Sequence, residues 1–351
     1  MLTGSKAVMT CSVTGCGMHN GEPVYLVTMG NGNITVRVTN IGCSILSIHV
    51  PDRDGAQRNI VAGFSDPLEY IRNPWYFGSV IGRYVNRIGG ASFPLDGRTV
   101  HLSANENGNH LHGGFEGFNK KIWRIADCYH NDHEAGVLFD YTSVDGEEGY
   151  PGNLQVRVRY TLNTAGELQL HYAAVTDKAT PVNLSNHSYF NLSGFEVPTI
   201  ADHLMTIGAS AYAEKQQQNL STGRLLPVRG TALDLSSPRR LGAGIDSLEA
   251  DGGYDHHYLL DGVQPAVEAY DPFSGRLLLV STDRPGVQVY TANWWDGSLQ
   301  GAHFAPYRRH GAFALETQAF PDSPNRPEFP GTILRPGEVF QTKTIFTFAI
   351  K

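Results

Sequence analysis

The chain has 351 residues, 41 % of them hydrophobic and 17 % charged, which is ample apolar surface for a core and too little charge for intrinsic disorder. A formal net charge of −7 argues against a binder of nucleic-acid backbones, which carries a basic face. No run of about 18 apolar residues is present to span a membrane. The opening MLTGSKAVMTCSV has no continuous apolar stretch and makes a poor secretory signal. The expectation is a soluble, cytoplasmic protein with no nucleic-acid or membrane partner. At roughly 150 residues per domain the length alone would allow two domains, but no interdomain linker interrupts the composition. A single domain over residues 1–351 is expected, with residues 1–14 a peripheral or flexible N-terminus.

In chain order, NITVRVTN (33–40) reads as a strand, and DPLEYIR after Ser65 as a turn or two of capped helix. FPLDGRTVHL (93–102) reads as a hairpin turning at Asp96-Gly97. In NLQVRVRYTL, Val156, Val158, Tyr160 and Leu162 point one way while Gln155, Arg157, Arg159 and Thr161 point the other. ELQLHYAAVT repeats the alternation with Leu168, Leu170, Tyr172 and Ala174, and the intervening NTAGE makes the two an antiparallel hairpin. RLLLVSTD, GVQVYTANW and TKTIFTFAI are further strands, and the Pro-rich FPDSPNRPEFPGTILRPGE before the last one reads as an ordered loop packed on the body. Helical periodicity is scarce, so the architecture expected is one large, mostly antiparallel β sandwich with function on its loops.

Four cysteines in this length are not a disulfide scaffold. Cys11 and Cys16 form an isolated C-x4-C, Cys43 and Cys128 stand alone, and all four are expected as free thiols. Three glycosylation sequons crowd at Asn183, Asn186 and Asn191, where glycans would obstruct a site, in keeping with a protein that never meets the glycosylation machinery.

The familiar cofactor signatures are absent: no phosphate loop, no complete dinucleotide fingerprint at Gly242-Ala-Gly244, no nucleophile elbow and no zinc helix. His110-Leu-His112-Gly-Gly-Phe-Glu116 has an H-x-H-x3-E spacing that could place two imidazoles on one face, but its flanks are loop-like and no third histidine completes it. His130, Asp132 and His133 read as an exposed turn. Asp255, ahead of His256 and His257 at a strand start, suits a carboxylate touching ligand hydroxyls. In NLSNHSYFNLSG, His187 lies among Asn183, Asn186 and Asn191 beside Tyr189 and Phe190. Such surroundings suit either a polyhydroxylated ring, with apolar faces for aromatics and hydroxyls for amides, or a structural histidine. Glu316 ends the apolar run FALE, where a carboxylate needs a partner or a task; a structural ion pair and a catalytic group both remain open.

Taken together, GSVIGRYVNRIGGASFPLDG, NHLHGGFEGFNKKIW, NLSNHSYFNLSG, GYDHHYLL, PGVQVYTANW and LETQAFPDSPNRPEFPGTILRPGE resemble the aldose 1-epimerase family, in the family's order from about residue 15 to the C-terminus. The resemblance implies an all-β antiparallel supersandwich that interconverts the α and β anomers of free hexoses such as galactose and glucose. It implies His187 as general acid, Glu316 as general base, and Asn86, Arg87, His112, Asp255 and Gln288 as sugar contacts. The departures are His257, where the family has Asn, and Cys43, where it often has Ala. The implied partner is a small sugar, with no cofactor and no metal, since one C–O bond is broken and remade within a molecule whose anomers differ little in free energy; oligomeric state is left open. At reference pKa values of about 4.3 and 6.5, Glu316 is expected ionised and His187 partly protonated, with Glu316 and Asp255 raising the histidine further. Three alternatives stand beside this reading: a glycosidase using Glu316 and Asp255, a non-catalytic sugar-binding module, and a sugar-phosphate 1-epimerase, which would want a cationic pocket.

Overall fold

The computed structural model describes residues 8–303 and 305–351. Strands dominate, as the alternation predicts. In the hairpin Leu154–Asn163 and Glu167–Thr176, Val156, Val158, Tyr160 and Leu162 are buried while Gln155, Arg157 and Arg159 face solvent. Thr161 departs from the pattern and is buried. The Asp96-Gly97 turn joins Ser92–Leu95 to Arg98–His101 with positive φ at both central residues, the geometry whose twist matches that of the strands. DPLEYIR is a short 3-10 helix, Pro67–Arg72, capped by Asp66, whose carboxylate accepts from the Leu68 N–H. Residues 1–7 lie outside the described residues, and residues 10–14 form the first half of an edge strand, Thr10–His19.

Three antiparallel sheets build the body. The first, Thr10–His19, Glu22–Gly30, Thr35–Thr39, Ile45–Pro51 and Gln57–Asn59, is a meander in chain order. The second has nine strands, in the order Arg124–His130, Glu134–Ser143, Leu154–Asn163, Glu167–Thr176, Phe340–Ile350, Arg276–Thr282, Val267–Tyr270, Leu204–Ile207 and Arg239–Arg240. The third runs Tyr189–Phe190, Phe313–Gln318, Gly286–Tyr290, Asp255–Leu260, Ala209–Lys215 and Ser221–Pro227. A continuous apolar core, from Met29 and Trp123 to Leu278 and Phe346, fills the space between sheets. The Pro-rich loop is packed on the body: Phe320 stacks on Phe329, and Asn325 donates to the Ser92 carbonyl.

Cysteine usage departs from expectation. Cys11 and Cys128 are disulfide-bonded, tying the edge strand Thr10–His19 to Arg124–His130, while Cys16 and Cys43 are free. The two partners are 117 residues apart in sequence, so spacing carried no sign of their pairing, and the expectation of four free thiols is corrected for these two. The sequon asparagines are framework residues. Asn183 accepts from the Ala319 N–H and from Arg284, Asn186 donates to the Gly78 carbonyl, and Asn191 donates to the Val197 and Gly311 carbonyls. Among the described residues, no helix is long and apolar enough to cross a membrane.

The six-stranded sheet carries one glycine that its neighbour demands. A Cβ at Gly286 would lie 2.2 Å from His257 Nε2 and 2.7 Å from the Tyr258 carbonyl oxygen, so only hydrogen fits beneath the buried His257 ring. Gly286→Ala is expected to destabilise the protein by about 1–3 kcal/mol in urea unfolding; an unchanged midpoint would show that the ring moves aside freely.

Candidate active site

Register places the central residues of the site. Across the six-stranded sheet His257 pairs with Gln288, and Gln288 with Glu316; one row over, Asp255 pairs with Tyr290. Residues paired in register share a face of a sheet, so Gln288, Glu316, Asp255 and Tyr290 project together although they lie on three strands. His187 reaches the same place from between the short strands Ser185–Asn186 and Tyr189–Phe190, where its N–H donates to the Ser79 carbonyl. Asn86, Arg87 and His112 come from a third direction, through the pairing of His110–Leu111 with Arg87–Ile88. The close packing of that loop explains the glycines after His112. Gly113 has φ +89°, and a Cβ there would lie 1.8 Å from the Gly82 carbonyl oxygen.

These elements enclose a cavity of about 240 Å³, below the roughly 300–1,000 Å³ usual for drug-sized ligands and suited to a single small ring. All seven residues singled out from the sequence line it: His187, Glu316, Asn86, Arg87, His112, Asp255 and Gln288. Trp75, Tyr76, Glu106, Asn219, Tyr290 and Trp294, which the sequence reading did not single out, line it too, together with Tyr189, which it noted beside His187. Phe190, the other aromatic noted there, belongs to the core instead. Asn183, Asn186 and Asn191 serve the framework rather than the cavity wall.

His187 Nε2 and Glu316 Oε1 are 3.5 Å apart, with both side chains at most 5 % exposed. Tyr76 stacks on the His187 ring at 5.9 Å between centroids and meets His112 edge-on at 4.8 Å. Asp255 is held from both sides: Gln288 Nε2 donates to Oδ1 at 2.7 Å and Asn219 Nδ2 to Oδ2 at 3.1 Å. Arg87 donates from Nε and Nη2 to the two oxygens of Glu106 at 2.6 and 2.7 Å. His187 Nδ1, Gln288 Oε1 and Glu316 Oε2 are buried with no hydrogen-bond partner in the protein.

The electrostatics reverse the expected ionisation. Burial lowers the His187 pKa to about 4, outweighing the attraction of Asp255. Burial, reinforced by Asp255 and opposed by Arg87, raises Glu316 to about 8. The expectation that nearby carboxylates would raise His187 is thus corrected, because removing the imidazolium from water costs more than those charges return. Burial thus disfavours both charged forms, and favours a neutral imidazole beside a protonated carboxyl.

The H-x-H-x3-E spacing does not converge on one point. His110 donates from Nδ1 to the Ser103 carbonyl and takes the Tyr150 hydroxyl on Nε2, while Glu116 faces Lys120 at the surface. A different trio, His112, His187 and Glu316, brings one ligating atom each within 4.8 Å of one another. The Asn86 N–H donates to His112 Nδ1 at 3.1 Å, which leaves the proton of the neutral ring on Nε2 and makes that nitrogen a hydrogen-bond donor rather than a ligand.

A model of the aldose 1-epimerase family matches residues 25–347. Galactose mutarotase of Homo sapiens is 42 % identical over 349 residues, covering 98 % of this chain and 99 % of that protein. Aldose 1-epimerase of Escherichia coli K12 is 35 % identical over 340 residues, covering 94 % and 96 %. Among solved structures, a galactose 1-epimerase from Lactobacillus acidophilus superposes with a TM-score of 0.88 at 24 % identity, covering 98 % of this chain and 99 % of its own. An aldose epimerase homologue from C. elegans does so at 0.82 with 25 % identity, covering 91 % and 96 %.

An NMR titration of the ring nitrogens is expected to find His187 neutral through pH 7, with a midpoint near 4. A midpoint at or above the ordinary value of about 6.5 would contradict the dominance of burial.

Proposed function

The chain belongs to the aldose 1-epimerase family, and from that premise we propose that it is an isomerase interconverting the α and β anomers of free hexoses such as galactose and glucose. The observation that carries this reading is the buried His187–Glu316 pair, 3.5 Å apart and facing one small cavity. Mutarotation needs a group that removes a proton from the C1 hydroxyl while another gives one to the ring oxygen. Two side chains at hydrogen-bond distance from those oxygens suffice.

Ring opening starts with the proton on His187: Glu316 takes the proton of the C1 hydroxyl as His187 donates to the ring oxygen. The C–O bond breaks to leave the open-chain aldehyde, with Glu316 protonated and His187 neutral. Rotation about C1–C2 presents the other carbonyl face. The ring hydroxyl then attacks C1, giving its proton to His187 while Glu316 protonates the new anomeric oxygen. The pair ends as it began, and no proton need be exchanged with solvent. Protonated Glu316 beside neutral His187, the arrangement burial favours in the empty site, is also the state the pair occupies opposite the open-chain aldehyde. Transfer across the 3.5 Å gap interconverts the two arrangements.

Arg87, His112, Asp255, Gln288 and Asn86 grip hydroxyls, so that the reacting oxygens meet the acid and base in register. Asp255, accepting from two amide donors, serves as a fixed acceptor rather than the second carboxylate of a glycosidase. Arg87 is the one Lys or Arg among the described residues lining the cavity, and Glu106 neutralises it. That balance favours an uncharged sugar over a sugar phosphate, which would seek an unpaired cation.

His187→Asn and Glu316→Gln are each expected to lower kcat at least about a hundredfold in polarimetry of freshly dissolved α-galactose; near-normal turnover removes that residue from the mechanism. With the spontaneous reaction subtracted, the pH–rate profile is expected to be bell-shaped. The acid limb falls near pH 4, where His187 and Glu316 both become protonated and no acceptor remains. The alkaline limb falls near pH 8, where both lose their protons and no donor remains. These limbs belong to the pair; a profile flat from pH 3 to about 10 would contradict one shared proton.

A further inference from the structure

Two of the groups assigned to hydroxyls, Arg87 and Asp255, are themselves gripped by residues that lie outside the quoted sequence motifs. Glu106 takes the Nε and Nη2 donors of Arg87 in a bidentate pair whose side chains are 13 % and 26 % exposed. Of the five guanidinium N–H groups, those on Nη1 and the second on Nη2 are left for the cavity. The pair also balances the charge of Arg87, which otherwise interacts with Asp255 and Glu316. Across the cavity, Asn219 donates to Asp255 Oδ2, and its own amide is oriented by Lys215, whose ammonium donates to Asn219 Oδ1 at 3.0 Å. An ammonium accepts nothing, so the Asn219 carbonyl must face Lys215 and its NH₂ must face Asp255. Lys215 is fixed in turn by Asp251 at 2.8 Å and by the Asp255 carbonyl at 3.1 Å.

The two loops are joined. Asn109, three residues after Glu106 and buried, donates from Nδ2 to Gln218 Oε1 at 2.9 Å, while its Oδ1 accepts the Gly90 N–H at 2.9 Å. Gln218 and Asn219 both have left-handed backbones, φ 61° and 57°. Non-glycine residues adopt that conformation at a cost and hold it where surrounding contacts require it. Gln218 and Asn109 do not line the cavity, so their bond acts on the wall rather than on a ligand.

We propose that Glu106 and Asn219 are positioning residues for sugar recognition, fixing Arg87 and Asp255 respectively, and that the Asn109–Gln218 hydrogen bond locks their two loops into one wall of the cavity. The proposal rests on the mutarotase reading above. Neither residue touches the reacting oxygens, so their loss weakens the ground state and the transition state alike and shows in KM rather than kcat.

The test is initial-rate polarimetry on galactose with the wild type, Glu106→Gln, Glu106→Asp, Asn219→Ser and Asn109→Ala, each checked for a native near-UV circular dichroism spectrum. Glu106→Gln and Asn219→Ser are expected to raise KM roughly tenfold, the worth of a hydrogen bond to a charged group, with kcat within about threefold. Glu106→Asp, which keeps the charge, recovers part of the loss, and Asn109→Ala raises KM in the same direction. In an Arg87→Met background Glu106→Gln adds nothing further, because its effect passes through the guanidinium. Unchanged KM in the folded single variants overturns the proposal, as does a Glu106→Gln effect that persists undiminished without Arg87. A wild type that fails to accelerate mutarotation overturns the proposed function itself; an active wild type with indifferent variants overturns only this inference.

Discussion

Burial of an imidazole and a carboxyl group 3.5 Å apart, with one proton between them, is the constraint on which the site depends. In water, glutamate and histidine would give ionised Glu and partly protonated His at neutral pH. Inside this cavity desolvation moves them toward each other and past, Glu316 to about 8 and His187 to about 4. An ion pair and a neutral pair carry the same number of protons and the same net charge. Enclosure therefore brings two arrangements of one proton within reach, and a reaction that breaks and remakes one C–O bond as protons move between its two oxygens can be served by that pair.

The fold supports this by register more than by loop design. Gln288 and Glu316 are directly opposite on neighbouring strands, and Asp255 stands one row away on the next. A shift of one residue in any of these strands would turn its side chain to the other face of the sheet. The apolar alternation that packs the core therefore also fixes which polar residues meet. His187 and His112 enter from outside that sheet and are held by backbone hydrogen bonds, to Ser79 and Asn86 respectively. The framework amides Asn183, Asn186 and Asn191 hold the chain around His187 without entering the cavity.

Strand-level structure was largely legible in the sequence because period-2 alternation, as in residues 154–176, is a direct imprint of one buried face. The seven residues read as site members also share one cavity, and they were found because their surrounding motifs resemble a known family; composition and spacing alone left His187 and Glu316 undecided. What escaped the reading has physical reasons. The Cys11–Cys128 bridge joins residues far apart in sequence, and nothing local distinguishes such cysteines from free ones. Glu106 and Asn219 sit in polar loops where neighbouring Asn, Gln and Glu residues look alike until tertiary contact selects one. The ionisation of His187 depends on burial, and a list of nearby charges cannot show how much water a site excludes.

The central claim is that His187 and Glu316 address two oxygens of one sugar. A crystal structure of the protein with bound galactose tests it most directly. It should show the anomeric hydroxyl on the Glu316 carboxyl and the ring oxygen on a nitrogen of His187, each at about 2.6–3.2 Å. A sugar seated with its anomeric carbon turned away from either side chain would contradict the account.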